Sequence, residues 1–253
     1  KSQKFSVKIA GDVARKLGVY PDQEKLQGQT AGKLFEDAVS KFIESTFPNL
    51  SMLRPGTWTI ENVGSSRKEY HISQYSPYKH LKDLSEAIAI SPDLRAALGN
   101  GYDISPDVLV LRNPASDDFI NQNSNIVSSS IARQTPIRLE NNSDSIVHAV
   151  ISCKWTLRSD RAQNARSEAL NIIRNRKGRT PHILVVTGEP TPSRLASLAL
   201  GTGDIDTIYH FALYELISAI SNSGNSEAQN ILDTLISGER LRDISDLPFD
   251  MAI

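Results

Sequence analysis

Apolar residues fall into two rhythms along the chain, and together they predict alternating helices and strands. Over residues 30–46, Leu34, Phe35, Ala38, Val39, Phe42 and Ile43 recur at helical spacing and form one apolar stripe, with Pro48 just beyond. Residues 57–63 and 102–111 read as strands. The second contains Asp107-Val108-Leu109-Val110-Leu111, entered through Ser105-Pro106. From 113 to 145, Asn, Ser and Asp with short apolar interruptions predict a long irregular connection. A strand at 147–154, a helix at about 161–176 and a strand at 182–186 come next. Helices near 192–199, 212–222 and 226–237 and a short strand near 205–209 complete the pattern. With no internal repeat and no low-complexity segment, residues 1–253 read as one α/β domain built around a central sheet.

Composition narrows the class. A chain of 253 residues, 39% hydrophobic and 23% charged, is ordinary for a globular protein and can bury a sizeable core. No apolar run approaches the roughly 18 residues of a membrane span. The chain opens on Lys1-Ser2-Gln3-Lys4, without an initiator Met or an apolar signal core, so some native N-terminal residues are expected to be missing. Cys153 is the single cysteine and has no internal disulfide partner, which suits a reducing cytoplasm. His71, His80, His148, His182 and His210 are scattered, without zinc spacing. A net charge of −1 selects no partner. Between Lys154 and Arg179, however, eight basic residues face only Asp160 and Glu168. Such a strip suits a confined polyanion site, although on charge alone a solvated helix face fits as well.

The candidate chemistry lies in Ser105-Pro106-Asp107, Ser152-Cys153-Lys154 and Glu168. Asp107 stands where a strand begins. Ser152 and Lys154, two apart on a strand, leave the same face, and Cys153 leaves the other, into the core. Glu168 lies on the following helix, from which it can reach back to the sheet. Two carboxylates and an ammonium then converge at the ends of two adjacent strands. Carboxylates bind Mg²⁺ as hard oxygen ligands. A lysine there can orient a water, help deprotonate it and offset charge on a phosphate in flight. The arrangement is Pro-Asp…Asp/Glu-x-Lys for phosphodiester hydrolysis, with Ser152 at the usual acidic position and Glu168 supplying the carboxylate from the helix. By itself the pattern is short enough to arise by chance, with Asp107 capping a turn and Lys154 a charge at a strand end. Its context adds weight: Arg158-Ser159-Asp160-Arg161 follows directly. Arginine pairs bidentately with guanine O6 and N7, and aspartate accepts from cytosine N4, so these types can read adjacent G·C pairs in a major groove. Local salt bridging among the three is the alternative.

From Ile151-Ser152-Cys153-Lys154-Trp155 through Glu168, then Arg174-Asn175-Arg176-Lys177-Gly178-Arg179, the chain resembles the NgoMIV-type restriction endonucleases. Glu189-Pro190-Thr191-Pro192-Ser193-Arg194, Gly201-Thr202-Gly203-Asp204-Ile205-Asp206, Tyr209-His210-Phe211-Ala212-Leu213-Tyr214-Glu215-Leu216 and Asp243-Ile244-Ser245-Asp246-Leu247-Pro248 carry the same likeness. It runs from about Leu26 onward, tightest over 150–216. It implies a restriction-endonuclease-like mixed central β-sheet flanked by helices. It also implies Asp107 and Glu168 as metal ligands, with the Cys153 carbonyl as a further one, and Lys154 as the catalytic lysine. Glu36 becomes a further acidic residue of the active site, preferred to Asp37, which would point away from the core stripe. Ser152 completes the catalytic set. Arg158, Asp160 and Arg161 match readers of a central CCGG, Arg194 a reader of the outer G·C pair, and Gln29 a minor-groove contact near the centre. The implied cofactor is Mg²⁺, two ions per site. The implied reaction is cleavage of double-stranded DNA at GCCGGC after the first G, leaving a 5′ overhang. The implied assembly is a homotetramer gripping two DNA copies, with a methyltransferase protecting host DNA. One outer-pair contact of the family comes from a residue upstream of this chain.

Other motifs fall away. Gly28-Gln29-Thr30-Ala31-Gly32-Lys33 has three residues between its glycines where a phosphate loop has four, and Leu34 follows the lysine in place of Ser or Thr. Cys153 as a thiol nucleophile is disfavoured because its side chain faces the core. Two rival functions remain: a DNA-binding relic that keeps the readers but has lost catalysis, and a structure-selective repair nuclease, which needs no Arg-Ser-Asp-Arg reader.

Overall fold

The computed structural model describes residues 2–20, 28–64, 71–98, 104, 106–201 and 203–253. Six strands form one mixed sheet: β1 (Trp58–Asn62), β2 (Val108–Arg112), β3 (Ile146–Lys154), β4 (His182–Thr187), β5 (Thr207–His210) and β6 (Leu241–Asp243). They lie in sequence order across the sheet. β1, β2 and β3 pair antiparallel, whereas β3 through β6 run parallel. The parallel part follows from its connections, since β3 and β4 are joined through α6 (Ser159–Asn175) and β4 and β5 through α7 (Pro192–Ala199). Strands covered on both faces read as continuous apolar runs, and β3 and β4 are buried along nearly their whole length.

Two cores lie on the two faces. On one, α6 contributes Ala162, Ala165, Ala169 and Ile172 against Leu109, Val150, Val185 and Ile208. The same layer holds α1 (Ser2–Lys16), α3 (His80–Ile90), α7, α8 (Leu213–Ser223) and α9 (Ser226–Ser237). On the other, α2 (Gly28–Thr46) sets Phe35, Val39 and Ile43 against Val108, Val110, Ile151 and Cys153. Leu34 is 53% exposed and Ala38 is exposed, so the stripe is narrower than its spacing predicts. One helix on a flat sheet face buries little more than a single ridge, so the flanks of the six-residue stripe stay wet.

The irregular segment 113–145 contains one short helix, α5 (Asp117–Ile120), and two isolated bridges. Arg138 organises it. Only 3% exposed, Arg138 pairs with Asp117 and donates from Nη1 to the carbonyls of Ser128, Ile131 and Ala132. The pattern of apolar positions misses α1, α3, α4 (Pro92–Leu98), β6 and α10 (Leu247–Asp250). In α1 only Phe5, Ile9 and Val13 face the core, too few to define a period, and β6 is three residues long. Among the described residues no helix is long and apolar enough to cross a membrane.

Candidate active site

Register puts the site at one end of the sheet. Lys154, Thr187, His210 and Asp243 align where β3, β4, β5 and β6 end. Antiparallel β2 begins at this same end, with Val108 opposite Ile151, and Asp107 immediately precedes it. Asp107 is 1% exposed, and its backbone carbonyl accepts from the N–H groups of Val63 and Gly64, tying the end of β1 to the site. Its Oδ2 accepts from the Cys153 N–H at 2.8 Å and from Lys154 Nζ at 2.7 Å. Burial opposes the Lys154 charge, but Asp107 and Glu168 outweigh it and hold the ammonium above the ordinary lysine range. The separation of 47 residues along the chain becomes a direct ion pair.

Glu168 reaches this end from α6. Its helix docks through three alanines, small side chains that let it lie close to the sheet. Glu36 approaches from α2, on the opposite layer. A Cβ built on Gly64 would stand 2.1 Å from Glu36 Oε2, so any side chain there would push that carboxylate from its place. Asp37, by contrast, accepts from Asn62 Nδ2 at 2.6 Å. Glu36, Lys154, Glu168, Gln29 and Arg161 line one cleft of about 700 Å³ together with the Cys153 backbone. The sequence-nominated Asp107, Lys154, Glu168, Glu36 and Gln29 are therefore brought to one place.

Ser152 and Cys153 behave as strand alternation requires. Cys153 is buried in the α2-side core, and burial, with Asp107 beside it, pushes its thiol well up, away from nucleophilic use. Ser152 is 7% exposed, and its Oγ is buried without a hydrogen-bond partner. Hard oxygen donors from Asp107 and Glu168, beside an orphaned hydroxyl, match the requirements of a small divalent cation. Among the described residues no group of three or more His, Cys, Asp and Glu side chains forms a ready metal cage. Mg²⁺ needs none, because it is held by one or two carboxylates and takes substrate phosphate and water oxygens for the rest.

The reader candidates divide between two clefts. Arg158 is the N-cap of α6, and it lines a second cleft of about 690 Å³ with Arg194. Arg161 faces the first cleft and donates to Thr156 Oγ1 at 3.1 Å. Arg158 and Asp160 are exposed and form no ion pair among the described residues, so local salt bridging is not what occupies them.

Glu189 lies in one of the motifs that carry the family likeness, but the sequence gives it no role of its own. It is fully buried; Oε2 accepts from the Leu157 N–H at 2.8 Å and Oε1 from the Thr191 N–H at 3.1 Å. It also faces Arg194 Nη1 at 3.4 Å. One carboxylate thus joins the segment carrying Arg158 to the helix carrying Arg194. Thr187 extends the connection, donating from Oγ1 to the Lys154 carbonyl at 2.6 Å and accepting from the Glu189 N–H at 3.2 Å. Its place between Gly188 and Pro190 does not announce burial, which is unusual for glutamate.

The family model described as NgoMIV restriction enzyme matches residues 1–253. The type II restriction enzyme NgoMIV of Neisseria gonorrhoeae is 49% identical over 248 residues, covering 98% of this chain and 86% of that protein. Among solved structures, a complex of the restriction endonuclease PspGI with substrate DNA covers 97% of this chain and 91% of its own. Its identity is 15% and its TM-score 0.27, so no argument is drawn from it. A match over the whole chain and near half identity to one member leave a single assignment: the chain belongs to the NgoMIV restriction enzyme family and is a type II restriction endonuclease.

Proposed function

We propose that the chain cleaves double-stranded DNA at GCCGGC after the first G, dependent on Mg²⁺. The observation that carries this reading is the Asp107–Lys154 pair beside Glu168, in a cleft shared with Gln29 and Arg161. Asp107, Glu168 and the Cys153 carbonyl would hold Mg²⁺, two ions per site, and the ions supply positive charge at the scissile phosphate when bound. Lys154, kept protonated by two carboxylates, offsets charge at the phosphate and positions the attacking water. Glu36 adds a further carboxylate to the site, and Ser152 stands at the usual acidic position of the motif. Arg158, Asp160 and Arg161 read CCGG from the major groove, Arg194 reads the outer pair, and Gln29 touches the minor groove. Residues 1–253 act as one endonuclease domain in a homotetramer that holds two DNA copies, in a cytoplasm where a methyltransferase protects the host sites.

Digestion of a plasmid of known sequence, with and without Mg²⁺ and with the ends mapped, tests the whole reading. Fragments ending at GCCGGC only with metal are the expected result. Cuts at CCGG with other flanks would remove the role given to Arg194. No cleavage, with tight binding to a CCGG duplex, would make the chain a DNA-binding relic.

A further inference from the structure

The opposite end of the sheet carries a second charged cleft. β3 has nine residues, so about 26 Å separates its ends at roughly 3.3 Å per residue. At the amino end, around Ile146 and Pro181, a cleft of about 690 Å³ is lined by Arg54, Arg112, Lys177 and Arg179, and no Asp or Glu lines it. Among the described residues none of the four forms an ion pair with an Asp or Glu side chain. Neighbouring carboxylates are committed elsewhere. Asp206 accepts from the Ile183 N–H at 2.8 Å, and Asp250 takes the Tyr209 hydroxyl and Arg242.

Two of the cations are held in place. Arg112 donates to the Pro55 carbonyl at 3.1 Å, and its guanidinium lies 5.4 Å from the centre of the Trp58 ring. Its Nε–H is buried without an acceptor. Arg54 donates to the Ile253 carbonyl. Burial, then Arg54 and Arg179, lower the Arg112 pKa, which places the three guanidiniums within range of mutual repulsion. Like charges gathered on a half-buried surface destabilise the fold unless an anion joins them.

We propose that this cleft binds a phosphate group, with Arg54, Arg112, Lys177 and Arg179 as its donors. A carboxylate brings one negative charge and would leave most of the repulsion standing. A phosphate brings close to two at neutral pH and more acceptor oxygens, matching the guanidinium fork. The group comes either from a small phosphorylated molecule or from the backbone of DNA flanking the bound site. A duplex held at the Lys154 end reaches the cleft only through long flanks or a bend.

Calorimetry of the full chain with inorganic phosphate, in EDTA at constant ionic strength, tests the first source. Saturable binding, weakened about tenfold in Arg179→Ser and in Lys177→Ser, is the expected result. Both residues are exposed, so these variants report even where Arg112→Ala fails to fold. The second source is tested by titrating duplexes with short and with long flanks in Ca²⁺. There the same variants would lower affinity only for the long duplex. A phosphate response that survives Arg179→Ser and Lys177→Ser but disappears in the Arg158→Ala, Arg194→Ala double variant would overturn the assignment. So would variants indistinguishable from the parent in both arms.

Discussion

Lys154, Asp107 and Glu168 differ in charge at one strand end, and single substitutions test whether they serve catalysis or recognition. Lys154→Ala and Asp107→Ala are each expected to lower cleavage by at least about a thousandfold while specific binding in Ca²⁺ persists, measured by single-turnover cleavage beside gel shift. Loss of binding in both would transfer these residues from chemistry to recognition. Gly64→Ala asks about Glu36 without touching it. The new methyl would occupy the place of Glu36 Oε2, so cleavage should fall about tenfold or more with melting little changed. Parental rates would show that the position of the Glu36 carboxylate does not matter. For Glu189, loss of charge should disturb Arg194, which it faces, and the Leu157 segment next to Arg158. Glu189→Gln is expected to raise KM and relax discrimination at the outer pair, with kcat changed least. Unaltered discrimination would leave Glu189 a purely structural residue. Of these residues, Lys154 and Asp107 were legible as a spaced motif. Gly64 and Glu189 were not, because their importance lies in what approaches them from other parts of the chain.

Helices and strands were legible where an apolar run or stripe stands out, not in proportion to length, since the fifteen-residue α1 was missed. β3, β4, α6, α7, α8 and α9 fall where the pattern puts them, with end shifts of one or two residues. The α8–α9 junction shows local chemistry at work. Gly224 adopts φ 68° at the end of α8, and the Asn225 side chain accepts from the Ala228 N–H to start α9. Gly224→Ala should cost about 1 kcal/mol, a fall in Tm of roughly 2–4 °C for a chain of this size. An unchanged melting temperature would mean the turn relaxes freely. The segment 113–145 is the converse case, having no periodic stripe and owing its shape to Arg138. In Arg138→Ala it should become the first site of limited proteolysis, and an unchanged digestion pattern would show that its other contacts suffice.

At the scale of the whole molecule, burial makes acid the weak side of stability. His148 and His210 are both held down to about 4 by burial, whereas the unfolded chain protonates them near 6.5. The stability from keeping them neutral is complete above about 6.5 and is lost as pH falls towards 4, at about 1.4 kcal/mol per pH unit for each histidine. Thermal melts between pH 8 and 4.5 should therefore show Tm falling below about 6.5. A flat profile to pH 5 would contradict the burial of these rings. By itself, the sequence determined the main elements, the single cysteine turned inward and which charged residues stand at the strand ends that line the candidate site. Those follow from periodicity and alternation, which act over a few residues. Only the tertiary structure decided that Asp107 pairs with Lys154, that Gly64 makes room for Glu36 and that Glu189 joins the segment next to Arg158 to Arg194. It alone gathered Arg54, Arg112 and Arg179 into one cleft from three distant stretches. Such contacts depend on strand register and on how closely α2 and α6 dock, and neither leaves a local trace in the order of amino acids.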